Sequence, residues 1–173
     1  MPENVEIKAR VANPEDMKVR VAEISDGPPE KIVQEDIFFR TRSGRLKLRI
    51  FSAHSGELIS YERRDSRGPK TSTYQIFPTD NPALLERLLT ASLGVVGVVR
   101  KVRQLYMIDQ TRIHLDEVER LGSFIELEVV LSAELTKAAG EGIAKEIMSK
   151  LSIRPCDLID VAYIDLLSRN ADV

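Results

Sequence analysis

The stretch Arg45-Leu46-Lys47-Leu48-Arg49-Ile50 alternates strictly between cationic and aliphatic residues. Successive side chains of a β-strand point to opposite faces, so residues two apart share a face. The stretch is therefore predicted to be a strand with three cations on one face and three aliphatic side chains on the other. Taken alone, such a strand is most simply part of an amphipathic sheet whose charged face meets water.

The same alternation recurs in segments that are far apart in the sequence. Polar residues share one face, and mostly aliphatic residues take the other, in the sets Asn4, Glu6, Lys8 and Arg10; Arg112, His114 and Asp116; Glu126 and Glu128; and, more loosely, Tyr61 with Arg63 and Lys101 with Arg103. If helices cover the aliphatic faces and the sheet closes, the charged faces converge. Like charges ~4 Å apart repel by about 4 kcal/mol at an effective dielectric near 20, so such a lumen needs water, counter-ions or an anionic ligand.

Strand-like segments dominate the chain. They are predicted at residues 4–11, 32–39, 45–51, 57–64, 70–77, 95–107, 111–118 and 123–131, with turns at Ser43-Gly44 and Gly68-Pro69. Helices are predicted from Asn13 to Gly27, from Asn81 to Gly94, from about Glu134 to Leu151, and in a short tail after Pro155. A meandering antiparallel sheet or a barrel fits this pattern.

Composition narrows the class of protein. The chain has 173 residues, 43% hydrophobic and 30% charged, which favours one globular domain spanning 1–173. No apolar run approaches the ~20 residues of a membrane span, and the N-terminus lacks the pattern of a signal peptide. The single cysteine, Cys156, excludes an internal disulfide and a cysteine-based zinc site. These features predict a cytoplasmic protein that does not bind membranes.

The charged faces suggest chemistry with phosphate. One guanidinium group can donate hydrogen bonds to two phosphate oxygens at once, so a cluster of Arg and Lys side chains suits a polyphosphate ligand. The carboxylates among them could be ion-pair partners of those cations. Alternatively, Glu126 and Glu128 on one face, with Glu6 and Asp116 from other strands, could hold Mg²⁺ or Mn²⁺, which favour carboxylates together with substrate phosphates.

At this point the residues resemble a known family. Asn4-Val5-Glu6-Ile7-Lys8 is similar to the Glu-x-Glu-x-Lys signature of CYTH proteins, which include class IV adenylate cyclases and thiamine triphosphatases. Further similar segments follow in the expected order over nearly the whole chain: residues 44–49, 61–63, 99–103, 115–118, 121–128 and 162–167. The resemblance implies an α+β, mainly β fold, in which an eight-stranded antiparallel β-barrel forms a triphosphate tunnel with helices packed outside.

The resemblance also implies roles for individual residues. The implied metal ligands are Glu6, Asp116, Glu126 and Glu128, for Mg²⁺ or Mn²⁺. The implied substrate contacts are Lys8, Arg10, Arg45, Lys47, Arg49, Arg63, Lys101, Arg103 and Arg112, and the implied catalytic residues are Glu6, Lys8 and Arg63. Asn4 departs from the signature because an amide replaces its first glutamate, which predicts weaker metal binding.

Three functions remain open from the sequence. The leading hypothesis is metal-dependent hydrolysis of a triphosphate, either inorganic tripolyphosphate or an organic one such as thiamine triphosphate. The first alternative is an adenylate cyclase of the class IV type, and the second is a non-catalytic barrel that binds polyphosphate or a nucleotide. The expected binding partner is a small-molecule triphosphate. The protein itself is expected to be a monomer or a homodimer. Nucleic-acid binding is disfavoured, since only 5% of residues are aromatic and could stack on bases.

Overall fold

The computed structural model describes residues 3–63 and 69–171, with eight strands and four α-helices among them. The strands are β1 (Glu3–Arg10), β2 (Glu30–Phe39), β3 (Arg45–Ser52), β4 (Ser55–Arg63), β5 (Lys70–Thr79), β6 (Val95–Ile108), β7 (Thr111–Val118) and β8 (Gly122–Val130). The helices are α1 (Pro14–Ile24), α2 (Pro82–Leu93), α3 (Lys137–Lys150) and α4 (Tyr163–Ala171), with a single 3₁₀ turn at Pro155–Asp157. The predicted strands and helices are confirmed, with small shifts at their ends.

The strands close into one antiparallel barrel. Their order around it is β1-β5-β4-β3-β2-β6-β7-β8, and β8 pairs back with β1 through partners such as Lys8 and Glu126. Two meanders, β2 to β5 and β6 to β8, make most of the wall. α1 connects β1 to β2, and α2 connects β5 to β6. Closure leaves no unpaired sheet edge, and it turns the shared face of all eight strands inward.

Side-chain caps fix where the helices begin. Asn13 Oδ1 accepts a hydrogen bond from the Asp16 amide at 3.2 Å, and proline follows Asn13 at the first helical position. Thr136 Oγ1 accepts in the same way from Ala139, so α3 begins at Lys137 and not near Glu134 as predicted. In the part of the chain that is described, no helix is both long and apolar enough to cross a membrane.

The hydrophobic core lies outside the barrel lumen. Aliphatic residues of β1, β7 and β8, including Val5, Ile113 and Leu127, are fully buried beneath α1 and α3. A second group on β2 and β3, including Leu48, packs against Leu85 of α2. Because helices cover much of the aliphatic outer face, the polar face is left for the interior.

The helix α4 covers one end of the barrel. A Cβ at Gly97 of β6 would lie 2.5 Å from Ile164 Cδ1, so a larger residue here would force the Ile164 side chain of α4 to shift. Arg45 of β3 donates two hydrogen bonds to the Asp165 carboxylate, at 3.1 and 2.8 Å. Together with the packing of Tyr163 on Phe124, these contacts fix α4 over that end.

Candidate active site

A cavity of about 330 Å³ occupies the barrel interior. The charged and imidazole side chains that line it come from seven of the eight strands: Glu6, Lys8, Asp36, Lys47, Arg49, Glu57, Lys101, Arg103, Arg112, His114, Glu126 and Glu128. The prediction that the charged faces of separate strands meet in one cavity is confirmed. Their aliphatic neighbours in sequence lie on the outside, which follows from the two-residue periodicity of strands.

Tyr163 forms the closed end of this cavity. Its ring centroid lies 3.8 Å from Lys8 Nζ and 4.9 Å from Lys101 Nζ, so the ring stabilises two ammonium groups. Its hydroxyl donates to Asp116 Oδ2 at 3.0 Å. From the sequence, Tyr163 falls in the predicted helical tail without a role, because no local pattern shows that this tail returns to the lumen.

Asp116 is the most enclosed acid of the site. Arg103 donates to both of its oxygens at 2.7 Å, and Lys101 Nζ lies 3.2 Å from Oδ2. Burial works to raise the pKa of Asp116, but Arg103 and Lys101 outweigh it and hold that pKa well below its ordinary value. Two cations and the tyrosine hydroxyl already contact its oxygens, and the role of Asp116 as a metal ligand stays a prediction.

Asp36 on β2 is a second buried anchor, which the sequence analysis missed. Its carboxylate accepts from Lys47 Nζ at 2.8 Å and from Arg49 at 2.8 and 3.0 Å, and Gln34 donates to it at 3.3 Å. Burial works to raise the pKa of Asp36, but Lys47 and Arg49 outweigh burial and lower it well below the ordinary value. The sequence pattern that would place Asp36 in the lumen is weak, because the next residue on the outer face, Glu35, is charged and interrupts the alternation of polar and aliphatic residues.

His114, Glu126 and Glu128 form a group that could hold a metal ion, with one ligand atom from each lying within 4.8 Å of the others. His114 Nδ1 is 3.8 Å from Glu126 Oε2 and 3.7 Å from Glu128 Oε1, and this buried nitrogen has no hydrogen-bond partner among the described residues. Burial, then the nearby Arg103, lowers the pKa of His114, which favours the neutral imidazole that metals bind. An orphaned nitrogen aimed at two carboxylates fits a divalent cation.

The predicted ligands Glu126 and Glu128 belong to this group, and Glu6 stands beside it. In the barrel register Glu6 is directly opposite Glu128, and such cross-strand neighbours have Cβ atoms about 4.5–5.5 Å apart. The sequence placed His114 on the polar face with Arg112 and Asp116 and gave it no metal-binding role. Its unpartnered nitrogen makes it a candidate ligand instead.

The same carboxylates are ion-pair partners of the lumen cations. Glu126 lies 2.9 Å from Lys8 Nζ and 2.7 Å from Arg103 Nη2, and Glu128 lies 2.9 Å from Arg112 Nε. The two interpretations left open by the sequence, ion pairs or metal ligands, therefore apply to the same atoms. Any ion bound here would compete with these cations for the carboxylates.

Asn4 lies buried next to Arg112. In the amide orientation that its neighbours satisfy, its oxygen accepts from Arg112 Nη2 at 3.3 Å and its NH₂ donates to the Glu3 carbonyl at 3.1 Å. Asn4 thus shares Arg112 with Glu128, and its amide is not in the metal-ligand group. A glutamate at this position would instead add a second carboxylate to Arg112.

Three predicted substrate contacts are not placed in the cavity. Arg10, the last residue of β1, is exposed, with its guanidinium carbon 5.1 Å from the centroid of the Phe124 ring. Arg45 is engaged with Asp165 at the barrel end, as described above. The side chain of Arg63 lies outside the described part of the structure. The remaining predicted contacts, Lys8, Lys47, Arg49, Lys101, Arg103 and Arg112, all line the cavity.

The chain is similar to proteins of one family. The family model of the CYTH domain matches residues 2–163. The protein named "Putative adenylate cyclase MJ0240" from Methanocaldococcus jannaschii is 26% identical, over 94% of this chain and 97% of its own. Among solved structures, the PH1012 protein of Pyrococcus horikoshii OT3 is 25% identical, with a TM-score of 0.82 over 94% of this chain and 98% of its own. A conserved hypothetical protein of Pyrococcus furiosus, 20% identical, has the same fold, with a TM-score of 0.81 over 94% of this chain and 99% of its own.

Proposed function

Because the chain belongs to the CYTH domain family, we propose that it is a divalent-metal-dependent triphosphatase whose active site is the barrel lumen. One observation carries this proposal: six cations and a group of three metal-capable side chains share one cavity of about 330 Å³. The six cations are Lys8, Lys47, Arg49, Lys101, Arg103 and Arg112. No other arrangement among the described residues joins so many phosphate-binding groups to candidate metal ligands.

The lumen cations would bind and orient the phosphates. Asp36 holds Lys47 and Arg49, and Asp116 holds Lys101 and Arg103, on the four consecutive strands β3, β2, β6 and β7 of the barrel wall. Such fixed donors require little reorganisation when charge develops on a phosphoryl group, which is the main source of electrostatic catalysis. Lys8, fixed between Glu126 and the Tyr163 ring, is the proposed catalytic cation.

Glu126, Glu128 and His114, with Glu6 beside them, would hold the divalent cation. When bound, Mg²⁺ or Mn²⁺ supplies positive charge to phosphoryl oxygens and orients the substrate. The chain's own part is to keep these carboxylates ionised: burial works to raise the pKa of Glu126, but Lys8 and Lys101 hold it well below its ordinary value. Glu6 and Arg63 remain proposed catalytic residues on the resemblance alone.

Metal and triphosphate are expected to help each other bind. In the structure Glu126 and Glu128 neutralise Lys8, Arg103 and Arg112. If a dication takes over these carboxylates, the three cations become available to phosphate oxygens. By thermodynamic linkage, the triphosphate must then raise the affinity for the metal by the same factor.

An adenylate cyclase is the second candidate function. It is favoured by the similarity to the Methanocaldococcus jannaschii protein, which is named for that activity and is matched over nearly its whole length. In this reaction the 3′-hydroxyl of ATP attacks the α-phosphate, and pyrophosphate leaves. The same lumen cations would bind the triphosphate of ATP. A hydrolase needs only the phosphate and metal groups described above, so we place it first.

Product identification tests the proposed function. The protein is incubated with tripolyphosphate, thiamine triphosphate and ATP, each with Mg²⁺, Mn²⁺ or EDTA, and the products are followed by ³¹P NMR. A triphosphatase releases orthophosphate with metal and none with EDTA. Pyrophosphate and cyclic AMP from ATP would identify the cyclase. Tight binding without any product would contradict both and leave a non-catalytic binding protein.

Binding of a triphosphate at pH 8 is predicted to take up a proton at Lys47. Burial, then the neighbouring Arg49, lowers the pKa of Lys47 to about 8, so near pH 8 about half the molecules lack this charge. A bound phosphate favours the ammonium form and raises this pKa, so up to about half a proton is taken up per ligand. Calorimetry in Tris and HEPES buffers, which differ in ionisation enthalpy, measures that number.

The matched control is Lys47→Arg, whose guanidinium stays charged at this pH. This variant is expected to bind triphosphate without the extra proton, and both forms should behave alike at pH 6.5. Equal proton uptake by the two forms at pH 8 would show that Lys47 does not titrate on binding.

A further inference from the structure

Aromatic rings meet the lysine side chains of the cavity at its closed end. The name aromatic floor is used here for three residues that line the cavity and share one packing cluster: Phe38, Tyr61 and Tyr163. Lys47 Nζ lies 5.7 Å from the centroid of the Phe38 ring and 5.6 Å from that of the Tyr61 ring. Lys8 and Lys101 both contact the ring of Tyr163. These three lysines therefore each have the charged end against the aromatic floor.

Each of these ammonium groups also contacts a carboxylate. The contacts are Lys8 with Glu126 at 2.9 Å, Lys47 with Asp36 at 2.8 Å, and Lys101 with Asp116 at 3.2 Å. An ammonium group has three N–H donors, so one carboxylate leaves donors for a phosphate oxygen. An aromatic ring attracts the ammonium group as well but, unlike a second carboxylate, adds no full negative charge that would repel phosphate.

The Tyr163 side chain is firmly held in its place. Its hydroxyl donates to Asp116, and its ring lies 4.9 Å from the Phe124 ring at an angle of 56°. Burial, and then the charge of Asp116, raises the pKa of Tyr163 well above its ordinary value, so the hydroxyl keeps its proton and remains a donor. Lysine side chains are flexible, so a fixed ring can restrain the ammonium groups that contact it.

On the premise of the proposed function, we propose that Tyr163 is a positioning residue that acts through Lys8 and Lys101. Its electron-rich ring keeps both ammonium groups charged and directed at the phosphoryl group on which charge develops. Its hydroxyl has a separate task, which is to fix the start of α4 to Asp116. The C-terminal helix thereby contributes to turnover through a side chain that carries no charge.

Fluorinated phenylalanines at position 163 test the ring directly. Each fluorine withdraws electron density from the ring and weakens its attraction for a cation, while the shape of the side chain changes little. Tyr163→Phe is compared with the variants that carry one, two or three ring fluorines, on the triphosphate that the wild type turns over fastest. We expect kcat to fall with each fluorine, by about tenfold over the series, with a much smaller change in KM. The thermal midpoint is expected to stay constant.

Two ordinary substitutions separate the ring from the hydroxyl. Tyr163→Phe keeps the ring, so we expect it to retain most of kcat, but its thermal midpoint falls because the hydrogen bond to Asp116 is lost. Tyr163→Leu keeps an apolar side chain without a ring. It is expected to lower kcat by about 30-fold, which corresponds to about 2 kcal/mol for desolvated contacts between a cation and a ring.

Phe124→Leu is the matched control. Phe124 is 1% exposed and packs on Tyr163, but the cation beside its ring is Arg10, which does not line the cavity. This variant also loses a buried ring from the same cluster, so we expect a lower thermal midpoint with kcat near that of the wild type. Equal losses of kcat in Phe124→Leu and Tyr163→Leu would show a structural role for both rings and overturn the inference.

The fluorinated series decides the matter independently of stability. A kcat that stays constant from Tyr163→Phe to the variant with three fluorines would overturn the inference, while the proposed function stands because the wild type still turns over. A wild-type protein that releases no product from any triphosphate would overturn both.

Discussion

Replacing Asp116 with asparagine is expected to lower the free energy of unfolding by about 3–5 kcal/mol, because buried Lys101 loses its ion-pair partner and buried Arg103 keeps only Glu126. Arg103 and Lys101 are 5% and 4% exposed, and both pair with Asp116, whose side chain is fully buried. Asparagine has the same shape but only one acceptor oxygen and no charge. Urea unfolding at pH 7 measures the loss as a lower midpoint at an unchanged slope.

A surface acid provides the control for this stability effect. Glu146 pairs with Lys150 on the exposed side of α3, and Glu146→Gln is expected to change the unfolding midpoint very little. A similarly small effect for Asp116→Asn would contradict the role of Asp116 as the anchor of the lumen cations. That result would favour the predicted role of Asp116 as a metal ligand.

Replacing Glu128 with glutamine is expected to lower metal-dependent turnover by about 100-fold or more while leaving stability nearly unchanged. Loss of groups that only support a metal ligand already costs about 10–100-fold in affinity or activity, and Glu128 is a proposed ligand itself. Its cation partner Arg112 is 33% exposed and keeps its hydrogen bond to the Asn4 amide, so little buried charge is left unpaired. Initial rates over a Mn²⁺ titration, with thermal unfolding in parallel, separate the two effects.

The control for Glu128 is Glu117→Gln. Glu117 is exposed on the outer face of β7, next to Asp116 in sequence, and carries the same charge without facing the lumen. This variant is expected to titrate with metal as the wild type does. Full activity of Glu128→Gln at the wild-type Mn²⁺ requirement would remove Glu128 from the metal site.

The barrel could be predicted from the sequence because its signal is local. In each strand, the alternation of residue types shows which side chains share a face. The apolar stripes of the helices indicate that helices pack on the aliphatic face of the sheet. Once the outer face is buried, the charged residues have only the interior left. That reasoning correctly placed Lys8, Lys47, Arg49, Lys101 and Glu128 in one cavity.

Alternation does not tell how deep along the barrel a residue lies. By alternation Arg10 and Arg45 belong to the lumen-facing set of their strands. However, Arg10 is the last residue of β1 and Arg45 the first of β3, and neither lines the cavity. The roles of Asp116 and Tyr163 depend on where α4 returns to the barrel, which is a long-range contact with no local signature. Ion pairing and metal ligation also use the same residue types, so sequence patterns alone could not separate them.

Diffraction from crystals grown with Mn²⁺ and tripolyphosphate tests the central claim most directly, since manganese is located by its anomalous signal. The claim predicts one Mn²⁺ ligated by His114 Nδ1, Glu126 and Glu128, with phosphate oxygens completing its coordination. It also predicts the tripolyphosphate between the cations held by Asp36 and those held by Asp116. Manganese elsewhere on the molecule, or tripolyphosphate bound outside the lumen, would contradict the account.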